Sequence, residues 1–194
     1  VIICGMIDLS SGSVAALTGV MGTSIYVMTG SIWLGLLAGL ITGALTGLTS
    51  GFLITYFNLP PFIVTLAMMT GARGIVLLYT GGMPIINIGD FTILGQGVFL
   101  GIPVPIIIMI LMLLLMLVLV KYTRFGRYIY AIGGNEDAAI ASGVNVKGVK
   151  ILTFTLAGTL VGLAGVILMS RINSGQPSAG VMFELDAITT VVIG

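Results

Sequence analysis

A stretch of sixty-four residues, from Leu9 to Ala72, contains no aspartate, glutamate, lysine or arginine. A helix needs about 20 apolar residues to cross the hydrocarbon core of a bilayer, so this stretch has room for up to three crossings. Charged residues make up 7% of the whole chain and hydrophobic residues 58%, whereas a soluble domain has about 25% charged residues. This composition indicates an integral membrane protein and excludes a soluble enzyme or a nucleic-acid-binding protein.

Turn residues divide the apolar sequence into six predicted segments. Proline disfavours helix in the residue before it, so Asn58-Leu-Pro-Pro61 is a boundary, and Gly30-Ser31 is another. We therefore predict an all-α fold, a polytopic transmembrane helical bundle with about five to six spans. The predicted spans are Val14–Thr29, which is short for a complete crossing, Ile32–Phe57, Phe62–Thr80, Phe99–Val120, Ile151–Ser170 and a last one starting near Ala187. Both ends of the sequence fall within apolar runs, so we expect a piece of a longer protein, incomplete at both ends.

Basic residues orient the predicted spans. Five of the seven lie between the fourth and fifth spans: Lys121, Arg124, Arg127, Lys147 and Lys150. Loops rich in lysine and arginine remain in the cytoplasm, so residues 121–150 are predicted to be cytoplasmic. Alternation then places residues 81–97 on the outer side, and residues 171–186 outside or re-entrant.

Within that loop the sequence predicts one short helix. Asn135 is a favourable N-cap, and Glu136 and Asp137 fall in the first turn, where the helix dipole favours negative charge. Gly143 is a natural stop after the C-cap. From the residues alone, the helix is either a solvated connection or a docking element.

Glycine recurs every four residues along the second predicted span. A period of four keeps the row on one helix face, where a second backbone can approach closely. We interpret the row as a helix-packing surface within one subunit, with a homodimer seam or a pore-lining face as alternatives. The row comprises Gly35, Gly39, Gly43, Gly47 and Gly51.

Several kinds of site are missing from the sequence. There is no histidine and a single cysteine, Cys4, which excludes the zinc and catalytic motifs that need a histidine, and also an intrachain disulfide. No Gly-Lys pair occurs, so the phosphate-binding loop of nucleotide hydrolases is absent. We predict no catalytic residue, no metal site and no cofactor in this chain.

Several segments resemble the ribose-type branch of ABC importer permeases. The resemblance covers essentially the whole chain, although Met6 stands where a second glycine is expected. The segments, in the order of that family, are Gly5-Met-Ile-Asp-Leu-Ser-Ser-Gly-Ser13, Thr80-Gly-Gly-Met-Pro84, Thr123–Glu136, Asp137-Ala-Ala-Ile-Ala-Ser-Gly143, and Gln176-Pro-Ser-Ala-Gly180 followed by Phe183–Ala187.

The resemblance implies a multi-pass permease domain over residues 1–194, in the bacterial cytoplasmic (inner) membrane, that carries a monosaccharide inward. Its implied partners are a second permease subunit, giving a homodimer, a cytoplasmic ATPase that holds ATP and magnesium, and an extracytoplasmic sugar-binding protein. Residues 121–150 would then be the coupling loop. The residues implied in ATPase docking are Glu136, Asp137, Ala138, Ala139 and Gly143, with Arg124 and Arg127 in support.

Five polar residues in or beside apolar segments are candidates for the transport pathway or for structural roles. A charge at mid-bilayer costs about 2.5–3.5 kcal/mol on insertion scales and normally faces protein or water. Asp8 is interpreted as a helix cap or a pathway residue, and Arg73 as a structural ion-pair or snorkelling residue or a sugar ligand. Glu184 and Asp186 are interpreted as helix-start acids or, with Gln176, as hydrogen-bonding groups for sugar hydroxyls.

An ion-coupled secondary transporter is the alternative function. In that case Asp8 or Asp186 would carry the coupling proton or sodium ion. A carrier of that kind has no need of a compact capped helix in a polar loop. An intramembrane enzyme is a third class, and the chain lacks the paired acids or nucleophile and base that it would require.

Overall fold

The structure, a computed structural model, describes residues 1–193, and within that range the chain is a helical bundle. Five helices are long and apolar enough to cross a membrane: α1 (Ser11–Thr29), α2 (Ile32–Tyr56), α3 (Pro61–Thr80), α5 (Val104–Tyr122) and α8 (Val146–Ile172). Shorter helices are α4 (Ile93–Gln96), α6 (Arg124–Gly134), α7 (Glu136–Ala141) and α9 (Phe183–Ile193), with 3₁₀ turns at Ile2–Cys4 and Gly89–Thr92. The predicted all-α, polytopic fold is confirmed.

The centre of the bundle is formed by α1, α2 and α8, and small residues make it compact. Gly43 on α2 faces the backbone of Gly158 on α8, and Gly47 faces the backbone at Phe154. A Cβ atom added at either α2 glycine would overlap a carbonyl oxygen of α8. The glycine row therefore lies against a helix of the same chain, where dispersion forces hold the two backbones together.

The fourth and fifth spans start at other residues than predicted. Phe99 lies in a two-stranded antiparallel hairpin, in which β1 (Val98–Phe99) pairs with β2 (Ile102–Pro103). Leu100 and Gly101 form its turn with φ of 52° and 81°, so α5 starts only after Pro103. The fifth span starts earlier than Ile151, because Asn145 caps α8 by accepting a hydrogen bond from the Gly148 amide.

Helix α6 is missing from our sequence interpretation. Three glycines in an eleven-residue segment weaken its intrinsic helix propensity. Its buried side chains, Ile129 and Ile132, pack with Cys4 and Met6 in one cluster, and Gly133 lies against the carbonyl of Ile3. Burial against the start of the chain therefore stabilises a helix that its own sequence favours only weakly.

A segment between α8 and α9, residues 173–182, turns back along the bundle, and we call it the connector. Gly175 exchanges two backbone hydrogen bonds with Ile85, at 2.8 and 3.0 Å. Gly180 then meets the backbone of Gly12 in the first turn of α1. After the connector, α9 starts at Phe183, four residues before the predicted start near Ala187.

Candidate functional site

The short helix predicted in the polar loop is present as α7. Asn135 is its N-cap, and the Asn135 Oδ1 atom accepts a hydrogen bond from the Ala138 amide at 2.9 Å. Glu136 and Asp137 occupy the first turn, as expected for acids near the positive end of the helix dipole. Gly143 has φ of 80°, a left-handed conformation that glycine adopts without strain.

Contacts with α8 hold α7 in place. The Lys150 Nζ atom on α8 donates to Glu136 Oε1 at 2.6 Å, and this is the one salt bridge within residues 1–193. Ala139 is 4% exposed and packs in the same cluster as Val146 and Val149 of α8. A force applied to α7 would therefore reach the first two turns of α8 directly.

The predicted docking residues divide into two groups in the structure. Asp137 and Ala138 are exposed, and the Asp137 carboxylate makes no hydrogen bond or ion pair within the described residues. Ala139 faces inward, and Glu136, although its side chain is 47% exposed, is paired with Lys150. Asp137 and Ala138 can contact a partner, whereas Ala139 and Glu136 attach the helix to the bundle.

A groove of about 350 Å³ lies beside α7 and includes residues that the sequence interpretation did not select. Thr55 and Asn58, at the α2–α3 turn, face Asn145 and Lys147 across it. Asn58 has φ of 51°, and the Lys147 ammonium lies 5.6 Å from the centroid of the Tyr56 ring. The Asn-Leu-Pro-Pro turn signal located this corner, but nothing in the sequence indicated that it adjoins α7.

Cys4 is buried at the same end of the bundle and provides a test of the α6 contact. Its Sγ atom lies 3.8 Å from the carbonyl oxygen of Ile129, and burial raises the pKa of the thiol. Less thiolate exists at any given pH, and the thiolate is the reactive form.

We expect maleimide to modify Cys4 slowly at pH 7. Gly133→Leu, which would push Ile3 away, should accelerate modification at least tenfold. The matched control is Gly134→Leu, because a Cβ there meets no other atom; equal rates in both variants would contradict the packing described.

Asp8 does not cap α1. The N-cap is Ser10, and the Asp8 Oδ1 atom accepts hydrogen bonds from the Ser10 amide at 2.9 Å and from the Ser10 hydroxyl at 2.6 Å. Leu9 and Ser10 separate Asp8 from the helix, so its carboxylate stabilises the turn that precedes α1. This corrects the capping interpretation.

Arg73 is bound by backbone carbonyl groups. Its Nη1 atom donates to the carbonyl oxygen of Pro177 at 2.6 Å and to that of Ala179 at 2.9 Å. It forms no ion pair with Asp8 or with any other acid within residues 1–193. Arg73 therefore joins α3 to the connector.

The remaining polar candidates surround the same crossing of chain segments. The backbone N–H of Gln176 donates to the sulfur of Met169. The Glu184 Oε2 atom is shielded from solvent, lies next to Gly12, and has no hydrogen-bond partner in the part of the chain that is described. Asp186 is exposed in the first turn of α9. Residues 1–193 contain no cluster of side chains that could bind a metal ion.

The structure is thus a bundle of membrane-length helices, with the capped helix α7 attached to α8 at the end that carries most of the basic residues. The family described as branched-chain amino acid transport system / permease component matches residues 1–194. The chain belongs to this family. Family membership agrees with the resemblance of the quoted motifs, and it identifies the bundle as part of a multi-pass permease component.

Curated relatives of this permease component are named as sugar transporters. The chain is 48% identical over its full length to the ribose import permease protein RbsC of Bacillus subtilis and 42% identical to RbsC of Escherichia coli K12, covering 61% and 62% of those proteins. It is 38% identical to the L-arabinose ABC transporter permease protein AraH of Azospirillum brasilense, covering 58% of it. The chain thus spans about 60% of the length of these relatives. No solved structure matches it.

The ion-coupled alternative receives no support from these relatives, which are permeases for ribose and arabinose. In the structure Asp8 is bonded to Ser10, and Asp186 is exposed.

Proposed function

We propose that this chain is part of the membrane-spanning permease of an ATP-driven ABC importer that moves a monosaccharide, a ribose-like pentose or a hexose, into the cytoplasm. The observation that carries the proposal is the match to ribose import permeases along the whole chain. The sequence has none of the catalytic motifs considered above, and in this proposal the sugar crosses the membrane chemically unchanged. A second copy of the permease and an extracytoplasmic binding protein complete the proposed path.

The proposed orientation places the α6–α7 end in the cytoplasm. Five of the seven basic residues of the chain lie at that end, between Lys121 and Lys150. Lysine and arginine near helix ends favour the cytoplasmic side of a bacterial membrane. The β1–β2 hairpin and the start of the connector, where Gly175 pairs with Ile85, then lie toward the outer side, where a binding protein would deliver the sugar.

We propose α7 as the element through which the ATPase moves the bundle. Asp137 and Ala138 present an exposed surface, while Ala139 and Glu136 fix the helix to α8. Closure of the ATPase domains around ATP would push on α7, and α8 would transmit the displacement to α2 along their glycine contact. ATP and magnesium would be held by the partner, which supplies the hydrolysis that this chain cannot perform.

Reconstitution of the complete permease tests the proposal. The full-length protein is placed in proteoliposomes with its ATPase and its binding protein, and ATP hydrolysis is measured with ribose, arabinose, glucose or no sugar. We expect a sugar-loaded binding protein to stimulate hydrolysis severalfold, with uptake of that sugar. The control omits the permease and should show no stimulation. Uptake that follows a proton or sodium gradient and ignores ATP would refute the proposal.

A further inference from the structure

Two helices start at one place inside the bundle. Helix α1 starts at Ser11 and helix α9 starts at Phe183. The backbones of Gly12 and Gly180, each close to one of these helix starts, are in contact. The start of α1 is not at a bundle end, because Ala15, one turn on, lies against Gly165 in the interior of α8. Non-helical backbone at membrane depth is tolerated only where protein or a water-filled cavity covers it. Broken helices that meet in this way surround the transport pathway in many carriers.

Arg73 determines the position of the connector at this place. One guanidinium nitrogen of Arg73 donates hydrogen bonds to two carbonyl groups of the connector, which lie 104 and 106 residues away in sequence. An arginine without acceptors is costly inside a membrane, so these bonds attach the connector to α3. Ser178, between the two bonded residues, remains exposed.

A second set of bonds is available close by. The Glu184 carboxylate lies beside Gly12 and the Gly180 carbonyl, with its Oε2 atom unpartnered within residues 1–193, and the carbonyl of the adjacent Ala179 is one of the two that bind Arg73. An arginine–carboxylate pair is stronger than a bond to a neutral carbonyl. If the connector moved, Arg73 could exchange the Pro177 and Ala179 carbonyls for Glu184. Two discrete arrangements of this kind are what a switching element requires.

We infer that Arg73 is a positioning residue for transport: it holds the connector so that Gly180 closes against Gly12, and opening of the pathway separates these two glycines. The inference rests on the proposed function, because it assigns a moving part to the same import cycle. In the open state Arg73 bonds to Glu184. Removing the arginine therefore leaves the connector unable to follow the ATPase cycle.

Labelling of a cysteine in the connector measures this movement. The full-length permease, with Cys4→Ala and Ser178→Cys, is assembled with its ATPase and treated with maleimide in the absence of nucleotide and with bound ATP. We expect the labelling rate at position 178 to differ at least fivefold between the two states, the lower end of typical allosteric couplings. Equal rates in both states would overturn the inference, and this measurement needs no change at Arg73.

Substitution of Arg73 separates a positioning role from a merely structural one. In Arg73→Gln we expect the labelling rate no longer to depend on ATP and sugar uptake to fall about tenfold. Sugar-stimulated ATP hydrolysis should persist, because the variant still assembles with the ATPase but no longer couples ATP hydrolysis to movement of the connector. Arg73→Lys, which keeps the charge, should restore part of the uptake. The control Arg171→Gln changes an exposed arginine at the end of α8 and should leave labelling state-dependent. State-dependent labelling and normal uptake in Arg73→Gln would contradict the proposal.

Gly180→Ala disturbs the same contact from the other side. Gly180 has φ of 71° and its added Cβ would lie 2.5 Å from the Gly12 carbonyl oxygen, so we expect the same loss of state dependence. The matched control is Gly82→Ala, with φ of 76° and no described atom near its added Cβ. It imposes similar backbone strain without a steric overlap against another segment. If no sugar stimulates the wild-type complex, the proposed function fails. Labelling with and without ATP still decides whether the connector moves.

Discussion

Replacing Asp137 with arginine is expected to abolish ATP-coupled sugar uptake while the permease still inserts into the membrane. Asp137 is exposed on α7 and has no bonding partner in the described part of the chain, so the fold does not depend on its charge. An arginine in the first turn opposes the helix dipole by only about 0.3–1 kcal/mol. The same change reverses the charge that a docking partner would meet. Uptake and stimulated ATP hydrolysis in proteoliposomes are the measurements.

The opposite end of α7 gives an independent version of this test with a matched control. Gly143→Val places a β-branched side chain at φ of 80°, which costs about 1–3 kcal/mol and shifts the exit of the helix. Gly134→Val is the control, because that glycine has no left-handed φ and nothing lies near its Cβ. We expect loss of coupling in the first variant and near-normal uptake in the second. Normal uptake by both Asp137→Arg and Gly143→Val would exclude α7 as the docking element.

Replacing Gly47 with leucine is expected to prevent the bundle from assembling. Gly47 lies against the backbone of Phe154 and Thr155, and a backbone cannot rotate away as a side chain can. Overpacking of a close-packed interior costs about 1–3 kcal/mol, and more where rigid elements must separate. That is a large part of a domain's total stability of about 5–15 kcal/mol. We expect the detergent-solubilised variant to aggregate, or to melt far below the wild type, in size-exclusion and thermal-unfolding measurements.

Gly71→Leu is the control for this prediction. Gly71 is also a glycine within a membrane helix, but a Cβ atom there meets no other atom within the described residues, and the residue is exposed. Its replacement should change the unfolding temperature little. Equal stability of the Gly47 and Gly71 variants would show that the α2–α8 contact contributes little to the fold.

The helices that could be predicted from sequence are those with a strong local signal. Five long apolar segments predicted the five membrane-length helices, and Pro60-Pro61 marked the start of α3. Asn135 and Gly143 predicted both ends of α7, because capping and left-handed backbone depend on a few adjacent residues. By contrast, α6 was missed because its three glycines lower its intrinsic helix propensity. Burial of Ile129 and Ile132 stabilises this helix in the folded chain.

The sequence by itself determined that this chain is a membrane bundle, where its long helices lie, that α2 carries a close-packing face, and which family it resembles. Hydropathy, helix caps and a four-residue glycine period are local properties that the chain carries before it folds. Only the tertiary structure decided that the glycine face meets α8, that Asp8 bonds to Ser10, and that Arg73 binds carbonyl groups of the connector rather than forming an ion pair. The Arg73 contact joins residues more than a hundred positions apart, and packing of the whole bundle brings such groups together.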